Sequence, residues 1–204
     1  MLIEFDAAYK ALLPYFDKVW GVVNGSWQDW NEEVSPKVRA LASSGSRAHL
    51  VNDFMRTRAR RLAEEDENIN AVISKQMFVL VFSPPEFQGC IGIRFKKLDD
   101  GGLSRNQPSA QVQSYRDQLV LPGVMADYHL EAGYVLDKFE SALKSVDMVC
   151  PSGEGIFWKA EIVPNNAVQN VASLFGAEQQ VMKEVKVRRK VDENAGEKDG
   201  NGTS

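Results

Sequence analysis

A chain of 204 residues, 44% hydrophobic and 25% charged, has the composition of a soluble globular protein and enough length for one well-buried domain. Its net charge of −4 argues against a protein built throughout to coat nucleic acid or an anionic membrane surface, while leaving room for local basic patches. Two cysteines, Cys90 and Cys150, are too few for a disulfide scaffold, and no apolar run approaches the roughly 18 residues that span a bilayer.

Helical spacing dominates the first third. Phe5, Ala8, Leu12, Tyr15, Phe16 and Val19 share one stripe, and Pro14 is placed to kink or restart that helix. Asn24-Gly25 predicts a break, after which Ser26 and Asp29 resemble a capping box. Trp27, Trp30, Val34, Val38 and Leu41 make a second stripe, within which Ser35-Pro36 could restart the helix as cap and first residue. A linker over 43–46 precedes a third stripe of Leu50, Val51, Phe54, Met55 and Leu62, which completes a helical region over 1–66.

Period-two alternation then takes over and predicts a sheet across 71–163. Strands over 72–82 and 87–98 form a hairpin through Ser83-Pro84-Pro85-Glu86. An insertion over 99–127 follows, opening on Asp99-Asp100-Gly101-Gly102, with a short polar helix over 108–118 and a break at Leu121-Pro122-Gly123. Strands over 129–136, 146–150 and 156–163 have short connections and read as an antiparallel meander. Val168, Val171, Leu174 and Phe175 predict a helix within 166–190, and 191–204 reads as a disordered tail. The expected architecture is a single α+β domain over 1–190, with N-terminal helices packed on an antiparallel sheet of about five strands and a C-terminal helix.

Parity collects Arg94, Lys96, His129, Glu131, Asp147, Lys159 and Glu161 on the polar side of that sheet. His129 as base, Glu131 as its orienter, and Arg94 or Lys96 as phosphate holder would make a metal-independent ribonuclease site. His49, His129, Cys90 and Cys150 do not pair at zinc-site spacing, so no metal site is expected. Neither a P-loop nor a dinucleotide fingerprint is present, and no cofactor is expected. Cys90 lies between two glycines, on the side of Arg94, which could lower a thiol pKa.

Recognition residues are more plentiful. Within the insertion, Arg105, Asn106, Gln111, Tyr115 and Arg116 suit hydrogen bonding to a polar partner, alongside Arg94, Lys96 and Lys159 on the sheet. Arg47, Arg56, Arg58, Arg60 and Arg61 crowd the third helix, and Arg56 and Arg60 lie one turn apart where they could contact phosphates. The segment 183–190 carries Lys183, Lys186, Arg188, Arg189 and Lys190 against Glu184, which suits a nucleic-acid or partner-docking arm.

The stretch Ile93-Arg94-Phe95-Lys96-Lys97-Leu98-Asp99, with Leu121-Pro122-Gly123 and Leu130-Glu131-Ala132-Gly133-Tyr134-Val135-Leu136, resembles a bacterial family of unknown function. Members of that family lie in prophage or plasmid regions beside helix-turn-helix regulators fused to a metallopeptidase-like domain. The resemblance covers residues 93 to 162 and carries no catalytic motif. It implies one half of a toxin–antitoxin-like pair. The resulting expectation is a cytoplasmic interaction protein of a bacterium or mobile element, without membrane contact, that binds a protein partner or nucleic acid. The alternative is the His129 ribonuclease toxin.

Overall fold

A computed structural model describes residues 1–104 and 109–164. The helix expected within 166–190, the basic segment 183–190, the tail 191–204, and Arg105 and Asn106 lie outside the described residues.

Helix α1 (Phe5–Leu12) passes through a 3-10 turn at Leu13–Tyr15 into α2 (Phe16–Glu32). Pro14 sits at the start of that turn, where its missing N–H leaves no helical bond unmade. The break expected at Asn24-Gly25 does not occur, because Gly25 is where α2 meets α4 (Ser44–Glu65). A Cβ at Gly25 would lie 2.6 Å from Arg58 Nη1, and Arg58 donates from Nε and Nη2 to Asp29 at 2.6 Å each. Interhelix packing thus outweighs the roughly 1 kcal/mol that glycine costs a helix. Ser26 is therefore no cap; its hydroxyl donates to Val22 O at 2.6 Å. Ser35 caps α3 (Pro36–Leu41), as its Ser-Pro pair predicts. The linker expected over 43–46 is instead the start of α4, with Ser43 Oγ accepting from Ser46 N at 3.1 Å.

Six strands follow: β1 (Ile69–Ser74), β2 (Met77–Phe82), β3 (Ile91–Lys97), β4 (Tyr128–Leu136), β5 (Leu143–Ser152) and β6 (Gly155–Glu161). They lie side by side in sequence order. The expectation of about five antiparallel strands is corrected in two ways. Residues 72–82 are not one strand, because Lys75 and Gln76 take φ of 43° and 74° and turn the chain so that Ser74 pairs with Met77. Two left-handed central residues give the twist a tight hairpin needs, and neither position carries the Gly or Asn that usually announces it. The sheet is also mixed, since β3 and β4 run parallel from Ile91↔Tyr128 to Lys97↔Tyr134. The insertion is long enough to carry the chain back to the starting end, as a parallel pair requires.

Alternation assigns the helix-facing side correctly. Phe78, Leu80, Ile91, Ile93, Leu130, Tyr134 and Met148 are buried in one core with Leu12, Val19, Val23, Trp27, Val51 and Met55 of the helices. The other side is not the wet face that polarity implied. The insertion, with α5 (Ala110–Arg116), folds back over it and packs Tyr115, Leu121 and Val124 on Met77, Val79 and Val81. Beneath this cover Arg94, His129, Glu131 and Asp147 retain between 1% and 4% exposure.

Candidate functional site

The nominated polar residues divide into a sealed network and an open cavity. In the sealed part, Glu131 accepts from Arg94 Nη1 at 3.2 Å and lies 3.9 Å from Arg116 Nε. Arg116 Nη2 also donates to Ser104 Oγ at 2.9 Å and Ser104 O at 3.2 Å. Tyr115 stacks on His129 with ring centres 4.4 Å apart, and its hydroxyl lies 2.8 Å from Gly92 O and 2.6 Å from Leu130 O. His129 Nδ1 is 3.2 Å from Tyr115 O, while Nε2 is buried without a partner. Burial lowers the pKa of this imidazole from its usual value, which favours the neutral ring.

Gln111 and Gln118 of the insertion are used within the chain. Gln118 donates to His129 O at 2.9 Å and Pro151 O at 3.1 Å and accepts from His129 N at 2.8 Å, joining β4 to β5 where their ladder has ended. Gln111 donates to Ser74 O at 2.8 Å. Lys159 is also engaged, with Asp147 at 2.7 Å and Asp100 O at 3.0 Å. Cys90 is half-buried; its backbone N–H donates to Asp127 at 2.7 Å and its sulfur lies 3.2 Å from Ser83 Oγ.

The cavity lies where the sheet splits. Pairing between β2 and β3 runs from Phe82↔Ile91 to Leu80↔Ile93 and stops there. Beyond that point the start of β2 and the end of β3 separate, with Met77 and Phe78 on one wall and Arg94, Phe95 and Lys96 on the other. Helix α4 contributes Asn52 and Arg56, the β1–β2 turn Lys75 and Gln76, and the insertion Ser109, Gln111 and Val112. The cavity has a volume of about 230 Å³. Asn52 donates to Phe95 O at 2.9 Å, replacing the strand partner that β2 no longer supplies. Arg56 and Arg60 lie over Phe78, 5.7 and 5.8 Å from the ring centre.

Among the described residues, four cations and no carboxylate line this space: Arg56, Lys75, Arg94 and Lys96. Arg94 has Glu131 behind it, but Arg56, Lys75 and Lys96 have no hydrogen bond or ion pair among the described residues. Arg56 Nε is buried without a partner. Several basic side chains elsewhere do pair with acids: Arg47 and Lys97 with Glu140, Arg58 with Asp29, Lys18 with Asp66, Lys144 with Asp100. Desolvation, then repulsion from Arg94, lowers the Lys96 pKa to about 8, with Arg56 and Arg116 adding to the repulsion and Glu131 opposing it. A concave site that crowds like charges concentrates positive potential.

Sequence reasoning nominated Arg94, Lys96, Gln111 and Arg56, and the structure brings these four together. Tyr115, Arg116, His129 and Glu131 lie in the adjoining sealed network and do not line the cavity. Lys75 and Asn52 were missed. Lys75 occupies a turn with no glycine signal, and Asn52 reads as one more polar position on a helix.

Fold and cavity together define an α+β protein with a small cation-lined site at a split in its sheet. No known protein family, curated protein or solved structure matches the chain. Among the described residues, no group of three or more His, Cys, Asp or Glu side chains is placed to hold a metal ion, and no helix is long and apolar enough to cross a membrane.

Proposed function

We propose that this is a non-enzymatic interaction protein that recognises its partner through an anionic group seated in the cation-lined cavity. The observation that carries the reading is the set of three cations, Arg56, Lys75 and Lys96, lining a concave space with no ion pair to any acid among the described residues. Self-repulsion among them makes the empty site electrostatically unfavourable, and an incoming anion relieves it. The toxin–antitoxin-like pairing implied by the resemblance is compatible with this role. Ribonuclease chemistry draws no support from His129, whose ring is stacked under Tyr115 and is 1% exposed.

Affinity capture with the intact chain and with an Arg56→Gln/Lys96→Gln variant tests the reading. A specific protein or nucleic acid should be retained by the wild type, released by millimolar inorganic phosphate, and lost by the folded variant. Equal retention by both chains would refute it, as would a wild type that retains nothing and shows no calorimetric response to phosphate.

A further inference from the structure

We infer that the anion this cavity selects is a terminal phosphomonoester, taken as its dianion, in preference to a carboxylate or a phosphodiester. The inference rests on the anion-binding reading above and adds the class of ligand. Three features of the cavity support it.

Charge is the first. Among the described residues, Arg94 and Arg116 share the carboxylate Glu131, and Arg56, Lys75 and Lys96 stand beside them without an ion pair. A carboxylate or a diester brings one negative charge to that excess. A phosphomonoester brings nearly two, with three strong acceptor oxygens. Geometry is the second. The donors reach the space from separate elements, with Arg56 on α4, Lys75 on the β1–β2 turn, and Arg94 and Lys96 on β3. Donors spread around a concave wall match a group that accepts on several sides better than a planar carboxylate. Size is the third. At about 230 Å³ the cavity is below the roughly 300 Å³ at which pockets for drug-sized ligands begin, so it admits a phosphoryl head and a short stem.

The same arrangement makes binding dependent on pH. The monoester gains its second charge as pH rises through about 6. Lys96 is faced by Arg94 on its own strand, Glu131 on β4, Arg56 on α4 and Arg116 on α5, with Lys75 lining the same cavity. It loses its charge as pH rises through about 8. Affinity should therefore peak between these values.

The experiment is calorimetric titration of the intact chain with methyl phosphate, dimethyl phosphate and acetate across pH 5 to 10. Methyl phosphate should bind at least about tenfold tighter than either monoanion at pH 7, the equivalent of one additional charge-assisted hydrogen bond. Lys96→Arg, which keeps its charge throughout the range, should remove the alkaline fall. Lys75→Gln, at an exposed turn, should weaken methyl phosphate severalfold while circular dichroism remains native. Comparable affinity for all three probes would overturn the inference and leave the anion-binding reading standing. Absence of binding by any probe would overturn both. A phosphoserine peptide added as a fourth arm locates the source of the ester: tighter binding than methyl phosphate supports a phosphorylated side chain, and equal binding supports a free small phosphoester.

Discussion

Replacing Glu131 by glutamine should cost more stability than any other single isosteric change in the sheet. Glu131 is 1% exposed and is shared by two buried arginines, Arg94 at 4% and Arg116 at 6% exposure. The amide preserves volume, so little of the loss comes from packing. It leaves two guanidinium groups in a low-dielectric layer without a counter-charge. Breaking a buried pair in this way costs about 3–5 kcal/mol. With a urea dependence near 2 kcal/mol per molar, the unfolding midpoint should fall by about 1.5–2.5 M. Tryptophan fluorescence reports the transition, since Trp27, Trp30 and Trp158 are buried in the folded core. A triple change, Arg94→Met, Arg116→Met and Glu131→Leu, should recover most of the loss, because the charges then vanish together. A Glu131→Gln midpoint within about 0.5 M of wild type, equivalent to roughly 1 kcal/mol, would refute the reasoning and show that water reaches these arginines.

Glycine positions provide a paired test: Gly133→Ala would put a Cβ 1.9 Å from Lys96 O and should prevent native folding, whereas Gly21→Ala meets nothing within 4 Å and should raise stability by about 1 kcal/mol in the same urea assay. The lowered pKa of His129 means that the unfolded chain takes up a proton first, so stability should decline as pH falls through about 6.5; His129→Gln should flatten that slope in thermal melts, and an unchanged slope would refute the assignment. Burial raises the Cys150 thiol to about 12, so a disulfide reagent at pH 8 should label half-buried Cys90 in the native protein and reach Cys150 only after denaturant is added; two fast thiols would contradict the structure.

Much of the fold is legible in the sequence where a single physical rule decides it. Period two locates β4, β5 and β6 to within a few residues, and Ser35-Pro36 marks the start of α3. It fails where tertiary contact overrides local preference. Gly25 looks like a helix breaker until Arg58 is seen lying against it, and Lys75-Gln76 looks like strand until its backbone is seen turned into the left-handed region. The candidate site divides in the same way. Alternation places Arg94 and Lys96 on the face opposite the helix-packed core, but alternation is blind to what covers that face. His129 and Glu131 have the same parity as the cavity's cations and yet lie sealed under α5. The splay of β2 from β3 leaves no sequence signature, since the residues on both sides of it keep alternating.

Arg94 and Glu131 are paired across parallel strands and stand 37 residues apart in the chain. Everything between them, including the Tyr115 hydroxyl set against carbonyls of both strands, belongs to the segment that must come home for the pair to form. The centre of this sheet is thus its least local part, flanked by hairpins that can close early. Pulse-labelling hydrogen exchange should find amides of β5 and β6 protected before those of β3, and simultaneous protection would count against this order. If the sheet assembles in that sequence, Arg94 and Arg116 stay without their shared carboxylate until the covering segment docks, and docking would then reward only the register that pairs Arg94 with Glu131.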